Sequence, residues 1–191
     1  MGNTKFNQDI SNWDTSNVTN LSHAFENASA FNQPIGNWNT SKVTTINYAF
    51  RNATEFNQDL NGWDTANVEY MQEVFSFTSS FNGKISKWNT SKVENMSKMF
   101  LNAKSFNQDL NEWDVSNVTT MSAMFQNATA FNGKITDWKP EKVTNMSDMF
   151  NGAEAFNQPL KRDVGMVTTM NRMFANAKSF NEALEFAFYK S

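Results

Sequence analysis

The chain has 191 residues, a formal net charge of −3 and no cysteine. This composition excludes disulfides, a thiolate metal site and a cysteine nucleophile, and its mild acidity argues against nucleic acid, which usually meets a basic patch. No apolar run reaches the length of a membrane span, and the N-terminus lacks a signal peptide's hydrophobic segment. The opening Met1-Gly2 does not make a myristoylation signal, because Phe6 stands where that motif needs Ser or Thr.

A Phe-Asn pair recurs at Phe6, Phe31, Phe56, Phe81, Phe106, Phe131, Phe156 and Phe180, at intervals of 25 residues six times and 24 once. A fixed period in the twenties reads as stacked coils that share one core. The expected domain is therefore a single unit over 1–191, with seven coils starting at Phe6 through Phe156 and a C-terminal cap from Phe180. We number positions within each coil from its Phe. Position 1 is expected to form an interior spine. Asn at position 2 suits a bend, where its amide reaches backbone groups of its own turn or of the next coil. Positions 3 and 4 vary through Gln-Asp, Gln-Pro and Gly-Lys, and are expected to face solvent.

Further along each coil, Trp at position 8 followed by Thr or Val at position 10 is compatible with a very short strand, as in Glu112–Ser116. Positions 13, 16, 19, 20 and 23 are apolar, for example Val118, Met121, Met124, Phe125 and Ala128. That spacing predicts one face of a helix of roughly ten residues. Ser91 with Glu94 matches a capping box, and Pro140-Glu141 suits a helix entry. Asn27, Asn52, Asn102, Asn127 and Gly152 at position 22 accept the left-handed conformation that closes a helix, with Phe77 breaking the column. The seventh coil is one residue short and has no Trp. Leu184–Tyr189 alternates and is expected to be a capping strand. The N-terminal end has no comparable cap, which leaves an edge for an upstream neighbour or for self-association.

The outward columns alternate between successive coils. Position 4 runs Asp59, Lys84, Asp109, Lys134, and position 12 runs Asn67, Lys92, Asn117, Lys142. Coils stacked about 5 Å apart would turn the first column into a ladder of alternating charge, and duplication of a two-coil block explains the same pattern. Candidate chemistry is sparse. His23, the one histidine, is read as a solvated residue on an outer helix face. Aspartate columns interrupted by Lys and Pro do not supply the several oxygens that calcium or magnesium needs. The six tryptophans and eleven methionines are read as core, and the column Thr15, Thr40, Thr65, Thr90 as lying on or beside it. No enzyme, metal or cofactor is expected.

Val-x-x-Met-x-x-Met-Phe-x-x-Ala-x-x-Phe at Val143–Phe156 resembles the frame of the BspA-like leucine-rich repeats. The stretch Phe106–Ala130 is similar to the repeats of mycoplasma-type bacterial surface lipoproteins, a domain of unknown function. These resemblances imply a leucine-rich-repeat-like solenoid, cell-surface or secreted placement, and a role in adhesion or protein binding, with no catalytic residues to carry over.

The combined expectation is a curved α/β solenoid, each coil holding one short parallel strand and one short helix. Its preferred function is binding of a host or neighbouring-cell protein or glycan, with membrane attachment only through an anchor outside this chain. The candidate array on the sheet face is Asn12, Asp14, Asn37, Asn39, Asp64, Lys87, Asn89, Glu112 and Asp114. A spacer or stalk segment with no ligand of its own is the alternative. Position 7 varies along the array and position 9 hardly does, so the sequence divides between the two.

Overall fold

The computed structural model describes residues 4–162 and 164–186. Within them, coils stack in register along one axis. Parallel backbone bridges join Asn20 to Thr45, Thr45 to Tyr70, and so on through Asn95, Thr120 and Asn145 to Thr169, all at position 15 or its equivalent.

The expected α/β, leucine-rich-repeat-like coil is not what forms. No helix occurs among the described residues, and the named strands there are β1 (Leu160–Arg162) and β2 (Leu184–Phe186), paired in parallel. Each coil is instead a run of tight turns. Within the first coil, Trp13 donates its N–H to Ile10, Val18 to Thr15, Ala24 to Leu21, Glu26 to His23 and Ala28 to Phe25, at 2.9–3.2 Å. The supposed helix face at positions 13–23 is such a run. Its alternate N–H groups leave the coil: Leu21, His23, Phe25 and Asn27 donate to the carbonyls of Thr45, Asn47, Ala49 and Arg51 at 2.7–3.0 Å. A helix keeps its N–H groups for itself, so it cannot make these bonds to a neighbour.

The physical reason for the misreading is that turns closed three residues apart also bring apolar side chains inward at intervals of three. Periodicity alone does not separate the two. The backbone passes through the left-handed region twice in this run, at position 18 (φ 59° at His23, 58° at Tyr48, 53° at Glu73) and at position 22 (φ 60° at Asn27, 58° at Asn52, 59° at Phe77). Ser91 and Pro140, read as helix starts, open turns that close with Val93 donating to Thr90 and Val143 donating to Pro140. The short strand expected around Trp113 is likewise a pair of turns. Of the expected capping strand, Leu184–Phe186 is β2, while Ala187–Tyr189 lie outside the described residues.

The core is built from aligned rings. The position-1 column stacks along the axis with centroid distances of 5.5 Å (Phe6–Phe31), 6.0 Å (Phe56–Phe81) and 5.8 Å (Phe81–Phe106). A second column at position 20 stacks beside it, as in Phe75–Phe100 at 5.8 Å. Within one coil the two columns touch, Phe100 and Phe106 lying 4.0 Å apart. Phe31, Phe56, Phe81, Phe106, Phe131 and Phe156 are fully buried. Burying a phenylalanine contributes roughly 1.5–3 kcal/mol, and offset parallel rings add to that.

Tryptophan at position 8 closes the core on the other side. Five of the six indole N–H groups donate to the position-5 carbonyl of the preceding coil: Trp38 to Ile10, Trp63 to Ile35, Trp88 to Leu60, Trp113 to Ile85 and Trp138 to Leu110, at 2.7–3.1 Å. Trp13, read as core, is instead exposed. Where this column stops, above Trp138, an apolar cavity of about 30 Å³ remains between Met121, Met146, Leu160 and Met173.

Candidate functional site

All nine candidate residues are exposed, and they fall into two columns with different duties. At position 9 the side-chain oxygen accepts the backbone N–H two residues on: Asp14 from Ser16, Asn39 from Ser41, Asp64 from Ala66, Asn89 from Ser91 and Asp114 from Ser116, at 2.9–3.1 Å. This is an Asx turn, which Asp and Asn form equally well. Position 9 is therefore nearly constant because it shapes the corner that leads into position 10. Hydrogen bonds from the Ser16 hydroxyl and backbone, with Lys42 nearby, hold the Asp14 carboxyl below its usual range. Ser116 and Lys139 do the same for Asp114.

Most of position 7 has no such duty; Asp137 is the exception, its carboxylate accepting from the Asn111 side chain of the preceding coil. Among the described residues, the side chains of Asn12, Asn37, Lys87 and Glu112 make no hydrogen bond or ion pair. Where coils four and five meet, Lys87, Asn89, Glu112 and Asp114 rim a shallow depression with Ser86, whose floor is the buried Trp88 and Thr90. Thr15, Thr40, Thr65 and Thr90 are all buried, and each hydroxyl donates to the position-9 carbonyl of the next coil at 2.8–3.1 Å. The face thus stands on a rigid floor. Its four charged or amide groups in this depression come from two successive coils.

The other repeated polar columns are engaged in holding coils together. Asn at position 2 forms an unbroken ladder in which each carboxamide oxygen accepts the backbone N–H of the next coil's Asn. It runs from Asn7 through Asn32, Asn57, Asn82, Asn107, Asn132 and Asn157 to Asn181, at 2.8–2.9 Å. Position 3 does not simply face solvent. Gln58 donates its amide to both oxygens of Asn32, while Gly83 is buried against the Gln58 carbonyl, from which an added Cβ would stand only 2.1 Å. At position 4, Asp59 and Asp109 each accept the backbone N–H of the following coil's lysine at 2.8 Å, and the Asp59 and Lys84 side chains lie 3.9 Å apart. At position 12, Asn67 donates to the Ser41 carbonyl and accepts from Lys92; Asn117 does the same between Ser91 and Lys142. The two-coil alternation is thus a hydrogen-bonding device whatever its origin.

His23 is exposed, as expected, but it stands on a turn rather than a helix and has partners. Its Nδ1 lies 2.7 Å from Glu26 and its ring stacks on Tyr48 at 4.6 Å. Glu26 continues to Arg51, Arg51 to the buried Glu73, and Glu73 to Lys98, at 3.0, 3.2 and 3.6 Å. Burial raises the Glu26 carboxyl, but the contacts from His23 and Arg51 outweigh it and hold the group below its usual range. The sequence reading missed this run because it assigned positions 18 and 21 to a helix, where residues of neighbouring coils would not meet in this way.

The family described as Mycoplasma protein of unknown function, DUF285, matches residues 1–111 and again 71–187. The chain belongs to this family. The match agrees with the mycoplasma-type repeat resemblance at Phe106–Ala130 and brings no support for the BspA-like leucine-rich frame. No curated protein matches the chain.

Proposed function

We propose that this member of the family is a non-enzymatic binding module, acting at the cell surface, whose position-7 edge meets a protein or glycan in an adhesion-type contact. The observation that carries the reading is the contrast in duty. Asn12, Asn37, Lys87 and Glu112 are exposed and uncommitted, whereas the repeated Asn, Gln, Asp and Thr columns around them hold one coil to the next. A side chain that contributes nothing to stacking is free to vary with the partner, and position 7 does vary. Rigid backbone beneath it lowers the ordering cost of binding.

The competing spacer reading draws on the same bookkeeping of hydrogen bonds, since most of the polar surface is scaffold. The experiment that separates them is an array of extracellular proteins and glycans probed with the purified chain and with a Lys87→Glu/Glu112→Lys double variant. A binding module retains at least one partner that the double variant loses while its unfolding midpoint is unchanged. Absent binding leaves the spacer, and binding equal for both proteins overturns the position-7 edge as the contact.

A further inference from the structure

The chain contains four Asn-Gly pairs: Asn61-Gly62, Asn82-Gly83, Asn132-Gly133 and Asn151-Gly152. Asn is a thermolabile residue, and a following glycine, lacking a Cβ, leaves its own amide nitrogen open to reach the Asn side chain. The fold treats the four pairs differently. Asn82 and Asn132 are each pinned by two donors from the next coil, the backbone of Asn107 or Asn157 and the amide of Gln108 or Gln158, at 2.9–3.1 Å. Their glycines are buried. Asn151 donates to Asp148 at 2.8 Å, and the N–H of the buried Gly152 is engaged by Ala175 at 2.7 Å.

Asn61 stands apart. Its side-chain oxygen Oδ1 accepts one bond, from the Lys87 N–H at 3.0 Å, and its side-chain nitrogen has no partner among the described residues. Gly62 is exposed at the tip of the turn closed by Trp63 donating to Leu60, and its own N–H makes no hydrogen bond among the described residues. We propose that Asn61 is a site of spontaneous deamidation in the folded protein, and that the stacking bonds protect the other three pairs. The Gly62 nitrogen, on losing its proton, attacks the Asn61 Cγ. The new C–N bond closes a succinimide ring while the bond to Nδ2 breaks and ammonia leaves. Water then opens the ring to aspartate or isoaspartate.

The consequence falls on the face described above, because Asn61 is bonded to the backbone of Lys87. Modification places a carboxylate there, and the isoaspartate form lengthens the main chain where Gly62 already packs against the Gly36 carbonyl. The chemistry holds whatever that face binds.

The test is to hold the full chain at mildly alkaline pH, native and in urea, and to follow all four sites by peptide mapping with isoaspartate detection. The expected result is conversion at Asn61 several-fold faster than at Asn82, Asn132 and Asn151 in the native protein, with the four rates converging in urea. Native rates at Asn82 or Asn132 equal to that of Asn61, or an Asn61 rate no higher than that of asparagines lacking a following glycine, would overturn the assignment.

Discussion

Asn107 and Glu112 lie five positions apart in one coil and both face water, yet they belong to different parts of the molecule. Asn107 receives the N–H of Asn132 and donates its own to Asn82, at 2.8 and 2.9 Å, so it is a rung in a ladder spanning the described stack. Glu112 touches no hydrogen-bonding partner among the described residues. The difference teaches that exposure does not mark function in a stacked-coil protein. A polar residue repeated in every coil is explained by the neighbour above or below it. The informative surface residues are those that the stack does not use.

Several substitutions break or sharpen that contrast. The interior extreme is Phe106, fully buried between Phe81 and Phe131. Phe106→Ala is expected to cost about 3–5 kcal/mol, read as a drop in the urea midpoint. Gly83→Ala comes next, since its Cβ would meet the Gln58 carbonyl at 2.1 Å; overpacking of this kind costs about 1–3 kcal/mol. An alanine variant as stable as the parent in thermal melts would mean that the coils are not held so closely there. Trp88→Phe keeps a ring but removes the donor to the Leu60 carbonyl at 2.9 Å. The carbonyl keeps the Trp63 N–H at 3.0 Å, so losing the one bond is expected to cost about 0.5–1.5 kcal/mol, again by urea unfolding.

The smallest of these effects concerns pH. Asp114 has its carboxyl held below the ordinary range by Ser116. A group whose folded pKa is depressed contributes stability that is present above its unfolded value, near 3.9, and is lost as pH falls through the folded value. Asn39 and Asn89 make the same turn without a charge. Asp114→Asn is therefore expected to leave stability at neutral pH nearly unchanged and to lessen the loss on acidification, measured as unfolding midpoints across the acid range. A large loss at neutral pH would show that the turn needs the carboxylate itself.

Much of the interior was legible in the sequence. The Phe and Trp columns announce themselves because stacked coils need identical large groups at identical places, and the Asn of position 2 was readable as a residue that bonds across a bend. The helix was not legible as an error. Val118, Met121, Met124 and Phe125 have helical spacing, and turns closed three residues apart reproduce it. Asn at position 22 did signal a left-handed backbone. Position 18 gave no such signal, since it carries Tyr48, Glu73, Lys98 and Arg172 in that conformation. Such residues lose roughly 1–2 kcal/mol there, a cost offset by the coil-to-coil bonds that fix the backbone and that local sequence does not display.

The candidate face was legible only in outline. Variation at position 7 against constancy at position 9 could be seen, but the Asx turns of Asp14 and Asn89 that account for the constancy depend on corner geometry. Position 3 was misjudged for the same kind of reason: Gln58 reaching Asn32 and Gly83 making room for Gln58 are relations between coils.

The most direct measurement compares Asn107→Ala with Glu112→Ala by urea unfolding under one set of conditions. The account predicts that the first loses about 1 kcal/mol, the net worth of its bond to the next coil's N–H. The second should stay within about 0.5 kcal/mol of the parent, as surface changes away from such features do. Equal losses, or a larger one at Glu112, would contradict the division between residues that hold the stack and residues it leaves free.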